Sequence, residues 1–175
     1  MPQNIIDFSP IDHITTDAIG KPGQRVFYIQ ARSGSRVVTI LVEKIQIQTL
    51  AIGVEQFYAE LRERYPDLDE PMPDYDEDKM AIHPPVDPLF RAAELGLAYD
   101  PDKDLMALMA VEALGDGQPE EEGRMMRLWC TRAQLRALCR WGLEVAGRGR
   151  EICPYCGEPM DPEGHLCVKK NGHKH

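Results

Sequence analysis

Ten residues at 42–51, VEKIQIQTLA, align without a gap on ten at 130–139, CTRAQLRALC. The alignment sets Lys44 on Arg132, Gln46 on Gln134, Ile47 on Leu135 and Leu50 on Leu138. Each segment marks the point where an alternating, β-branched pattern gives way to apolar residues spaced three and four apart, which is the passage from strand to amphipathic helix. Before the first junction lie three strand-like runs, HITTDAIG (13–20), RVFYIQA (25–31) and RVVTILVE (36–43), separated by the turn sequences KPGQ and RSGS. After it, Ile47, Leu50, Ala51, Val54, Phe57 and Leu61 form one apolar stripe. The second junction has the same surroundings: LFRAAELGLAYD (89–100), LMALMAVEAL (105–114) and RMMRLWC (124–130) as strands, then a helix capped by Thr131 with Leu135, Leu138, Cys139 and Val145 inward.

One helix over three strands encloses little core, so two such units must combine. The expected fold is therefore α+β: two tandem β-β-β-α repeats related by a pseudo-two-fold, at 1–65 and 89–150, with a C-terminal zinc knuckle at 151–175. Between the repeats, 66–88 is Pro-rich and carries seven acids and no base from Asp67 to Asp78. That composition predicts a solvated linker. Its acids lack the Gly and Glu spacing of a calcium loop.

The apolar runs are much shorter than the roughly 20 residues of a membrane span, and the N-terminal stretch does not have the pattern of a secretory signal. The five cysteines do not suggest a disulfide framework, and a reducing cytoplasm suits them. Cys130 and Cys139 sit among apolar residues and are expected to be buried thiols. A net charge of −9 works against attraction to the nucleic-acid backbone.

The chemistry concentrates in CPYCGEPMDPEGHLCVKKNGHKH (153–175). A two-residue gap between Cys153 and Cys156 lets both thiolates face one ion, with turn amides aimed at sulfur and a following Gly free to take a positive φ. Cys167 supplies a third thiolate and His165 the favoured fourth ligand, with His173 the alternative. Cys₃His is the composition of closed structural zinc sites, and the prolines, glycines and acids between the ligands offer nothing else to build a core. Four protein ligands leave no vacancy for substrate, so Zn²⁺ is expected to be structural rather than catalytic.

A second candidate is the strand-to-helix junction itself. Lys44 and Arg132 could line an inter-repeat cleft as contacts for a small phosphorylated or nucleotide-like ligand, although polar residues there more often cap helices. No Gly-rich phosphate loop, nucleophile elbow or His-Glu-x-x-His motif is present. The leading function is thus a non-enzymatic binding or adaptor module, with a protein or small molecule as partner. A ligand-binding enzyme is the alternative. A nucleic-acid ribbon, resting on Tyr155, Lys169 and Lys170, comes third.

The opening IIDFSPIDHITTDAIGKPGQRVFYIQA, the segments VEKIQIQTLA and VDPLFRAAELGLAYD, and the ending CPYCGEPMDPEGHLCVKKNGH together resemble the bacterial family catalogued as domain of unknown function 3090. The family's closing pattern falls on Cys153, Cys156, Asp161 to Cys167 and Asn171-Gly172. The resemblance implies a cytoplasmic protein with no assigned activity and no established catalytic residues. It also implies gene neighbours resembling histidine phosphatases and phosphoinositide kinases.

Overall fold

The computed structural model describes residues 2–149, 153–157, 160, 167 and 169. Seven strands and two long helices run in the order β1 (Asn4–Phe8), β2 (His13–Ile19), β3 (Val26–Ser33), β4 (Arg36–Val42), α1 (Lys44–Arg64), β5 (Ala92–Asp100), β6 (Leu105–Glu112), β7 (Arg124–Cys130) and α2 (Arg132–Gly147). The fold is α+β, with two sheets and two helices. Among the described residues, no helix is long and apolar enough to cross a membrane.

The two sheets have matching registers. β2-β3-β4 is antiparallel throughout, with Ala18, Phe27 and Val42 in one row. In the other sheet, ordered β1-β7-β6-β5, the last three strands are antiparallel, and Tyr99, Met106 and Cys130 form the corresponding row. Each sheet also takes an outer parallel segment from the chain ahead of the opposite half. β1 lies parallel to β7, from Asn4 beside Arg124 to Phe8 beside Leu128. Residues 89–91 run parallel to β4, where Leu89 N donates to Thr39 O at 2.8 Å and Leu41 N to Phe90 O at 3.0 Å. The expected strand at 89–100 is therefore divided: its first three residues join one sheet and Ala92–Asp100 the other. β1 was not foreseen, because a five-residue strand at a sheet edge leaves a weak pattern when its partner is remote in the chain.

The helices start alike. Gln46 Oε1 accepts from Glu43 N at 2.8 Å, and Gln134 Oε1 from Thr131 N at 2.9 Å. The other end of each amide ties its helix to the far half: Gln46 Nε2 donates to Ala92 O at 3.2 Å and Gln134 Nε2 to Ile11 O at 3.2 Å. Gln is thus selected twice because one side chain serves both as a cap and as a crosslink. Ile47, Leu50, Ala51, Val54, Tyr58 and Leu61 of α1 face inward, as do Leu135, Leu138, Cys139 and Val145 of α2. Tyr58 is buried, while Phe57 is only half-buried and lines a groove between α1 and β5.

α1 packs on α2 and reaches β5, while α2 lies along β2. The approach is closest at Gly142, where an added Cβ would stand 2.7 Å from Ile47 Cγ2 and 3.0 Å from Thr16 Cγ2. A single core cluster results, running from Phe8 and Ile29 through Ile47 to Leu128 and Leu138.

The 66–88 segment departs from expectation. Most of its residues are exposed, as a linker's would be, but it is a strap tied to the body at several points. Arg136 holds its start, donating to Glu70 at 2.6 Å and Pro71 O at 2.9 Å, and Tyr75 sets its ring edge-on to Trp141. The strap then crosses the outer face of the β2-β3-β4 sheet. Thr15 Oγ1 donates to Met80 O at 2.6 Å, Ile82 N to Asp17 Oδ2 at 3.2 Å, and His83 N to Gln30 Oε1 at 2.8 Å. Met80 is buried to 2% exposure. Composition suggested a segment unable to offset its ordering entropy. The buried polar groups of β2 and β3 satisfy its backbone, and arginines of α1 and α2 neutralise Glu70.

Candidate metal centre

Cys153 to Gly157 form a tight turn. Gly157 N donates to Cys153 O at 3.0 Å, and Gly157 takes a φ of 77°, a left-handed backbone that glycine enters without penalty. The turn brings Cys156 back beside Cys153, and Cys167 joins them. The three sulfurs all lie within 4.8 Å of one another, and Cys153 Sγ and Cys167 Sγ are 3.8 Å apart. A tetrahedral zinc with Zn–S bonds of about 2.3 Å sets its sulfurs about 3.8 Å apart. The Cys153–Cys167 separation matches that value, and the three sulfurs together could hold a metal ion.

The five cysteines divide sharply in their chemistry. Burial pushes the thiols of Cys130 and Cys139 up to about 12, as suits inert core residues. Cys153 is just as buried, at 1% exposure, and burial alone would raise it too. The backbone amides of Cys156 and Tyr155, together with the Cys156 and Cys167 side chains, outweigh that effect and hold it below the ordinary thiol range. Sulfur that accepts amide hydrogen bonds is stabilised as thiolate, the form that binds metal. The structure thus brings the three expected cysteines together. His165 and its alternative His173 lie outside the described residues.

The junction residues fare differently, because the structure does not bring Lys44 and Arg132 together. Arg132 is nearly buried and committed within the protein: its Nε and Nη2 donate to the Asp104 carboxylate at 2.8 and 3.1 Å, and Nη1 donates to Asp69 O at 2.6 Å. That pairing holds the Asp104 carboxyl below the usual carboxylate range. Lys44 lies at the mouth of another cavity of about 480 Å³, lined by Arg25, Phe27, Arg91 and Gly149. Sequence reasoning missed Arg25 and Arg91. The ungapped alignment of 42–51 on 130–139 does not reach Arg25, and its counterpart Asp104 emerges only from the strand pairings.

No curated protein and no solved structure matches the chain. Residues 6–167 match the family described as protein of unknown function (DUF3090), a span that runs from within β1 through β7 and includes both helices and all three clustered cysteines, and the chain belongs to that family.

Proposed function

We propose that this protein is a non-enzymatic, cytoplasmic adaptor whose C-terminal contact surface is shaped by a structural Cys₃His zinc site. The observation that carries the reading is the cluster of Cys153, Cys156 and Cys167 sulfurs within 4.8 Å of one another. His165 completes the set in this reading, with His173 as the substitute. Three thiolates and an imidazole fill a tetrahedral zinc, so the ion holds the chain and has no place for a reacting water. Tyr155 stands half exposed on the turn and Lys169 is also exposed, which gives the clasp an outward face for a protein partner.

The body that carries this clasp is read as a duplicated β-β-β-α unit with a pseudo-two-fold. The matching row registers, the two exchanged parallel segments and the paired roles of Gln46 and Gln134 support that reading.

Metal analysis of the purified chain tests the function. One equivalent of zinc is expected, and Cys153→Ser or Cys167→Ser should abolish its retention. Chelation should remove amide protection in the 153–157 turn and leave the protection of β3 and β6 unchanged. Less than about half an equivalent of zinc, or protection in the turn indifferent to chelator, would overturn the reading.

A further inference from the structure

We propose that Arg25, Lys44 and Arg91 form a binding site for the phosphate group of a small soluble phosphate monoester. The inference does not depend on the zinc clasp. It comes from comparing two places that the strand registers make equivalent. Phe27 pairs with Val42 in the first sheet and Met106 with Cys130 in the second. Two residues ahead of the first members stand Arg25 and Asp104, and two residues beyond the second members stand Lys44 and Arg132.

In the second half these positions hold opposite charges that close on each other, as the Asp104–Arg132 pair. In the first half both are cationic. Arg25 Nη2 and Lys44 Nζ lie 3.3 and 3.5 Å from the point where a Cβ on Gly149 would sit, so the two charges face one small volume beside Gly149. Among the described residues, no carboxylate pairs with Lys44 or Arg91; Glu43 also lines the cavity and Asp17 acts on Arg25 from nearby, so the three cations outnumber the acids there on a chain whose net charge is −9.

The cations are also held in position. Arg25 Nη1 donates to Val145 O at 2.7 Å and Nη2 to Ala146 O at 3.3 Å, which fixes the guanidinium against the end of α2. Its remaining N–H groups are left for a ligand. Arg91 sits on backbone clamped between the sheets, bridged to Leu41 on one side and accepting from Ala113 N at 2.7 Å on the other. A planar guanidinium and a mobile ammonium around one cavity suit the oxygens of a tetrahedral dianion. The cavity of about 480 Å³ has room beyond the phosphate for a sugar-sized remainder against Val26 and Phe27.

The test uses the full, zinc-loaded chain at low ionic strength, with ribose 5-phosphate, ribose and vesicles of phosphatidylcholine containing phosphatidic acid as probes, followed by calorimetry and amide chemical shifts. Saturable binding of ribose 5-phosphate is expected, with shifts at Lys44, Arg91 and Gly149 and no response to ribose. Lys44→Glu recreates the ion pair of the second half by facing Arg25 with a carboxylate. It should weaken binding at least about tenfold while keeping or raising the melting temperature. Arg132→Ala should lower the melting temperature and leave binding unchanged. The proposal fails if no saturable response appears up to about 10 mM ligand. It fails equally if Lys44→Glu binds like the parent, if Arg132→Ala weakens binding as much as Lys44→Glu, or if only the vesicles bind.

Discussion

Both sheets contain three consecutive antiparallel strands that lead into a helix, yet their outer faces meet different surroundings. On the first, Thr15, Gln30 and Thr39 form a polar row at 1–3% exposure, buried beneath the strap that runs from Glu70 to His83. On the second, the corresponding face remains in water and is held by Asp7, which accepts from Arg127 at 2.6 and 2.8 Å and from Trp129 Nε1 at 2.9 Å. Polar residues therefore do opposite jobs on equivalent surfaces. Under the strap they replace solvent for another segment's backbone, so deleting their side chains would leave that backbone covered without partners. On the open face they pair with each other in high dielectric, where the pairing adds little.

The sharpest way to break this contrast is Met80→Ala. The side chain anchors the strap in the core, and its loss should lower stability by about 3 kcal/mol in denaturant unfolding and free the amides of Ile82 and His83 to exchange. A loss below about 1 kcal/mol would mean that the strap is dispensable to the fold. Gly142→Ala tests the frame beneath both sheets. Its methyl group would press on Ile47 and Thr16, and a loss of about 1–3 kcal/mol is expected despite the better helix propensity of alanine.

A pH series sharpens the comparison further. His13 lies at the strap's edge with Nε2 buried and unpartnered among the described residues. Burial, assisted by Arg32 and His83, lowers its pKa. A histidine with a depressed folded pKa stabilises fully above its unfolded pKa of about 6.5, and that contribution disappears as pH falls through the folded value. Stability should therefore decline from pH 7 towards pH 5, with the strap opening first, and His13→Gln should flatten this part of the profile.

The smallest effect belongs to the open face. Asp7→Asn should cost less than about 1 kcal/mol, because the Asp7 and Arg127 side chains are 47% and 34% exposed. Hydrogen bonds from Arg127 and Trp129 lower the Asp7 carboxyl, so its contribution is present above about pH 4 and fades as pH drops below that. Added salt should weaken it, while leaving the Met80→Ala effect untouched.

Local features of the chain were legible in advance because they depend on neighbours in sequence. The alternation of RVVTILVE and the turn at RSGS define β4 and its hairpin, Thr131 and Gln134 make their own cap, and CPYCG bends as its glycine permits. The features that escaped depend on distant partners. NIIDF becomes a strand because β7 offers it an edge, and the acidic strap orders because Thr15, Asp17 and Gln30 accept or donate to its backbone. Composition also could not separate Lys44 from Arg132. The difference between them is a single carboxylate, Asp104, standing where the first half has Arg25.

The parallel pairing of β1 with β7 has a consequence for how the chain is made. β1 is synthesised long before its neighbour, since Asn4 must wait for Arg124 and Phe8 for Leu128. During synthesis Ile5, Ile6 and Phe8 stay without a sheet until nearly both halves have emerged, and closing so long a loop late favours slow completion of the fold. A version trimmed of its first eight residues would leave β7 as a bare edge along its whole length, open to strands from neighbouring chains. The N-terminus of this protein thus acts as the seal on a sheet built mostly by the other half.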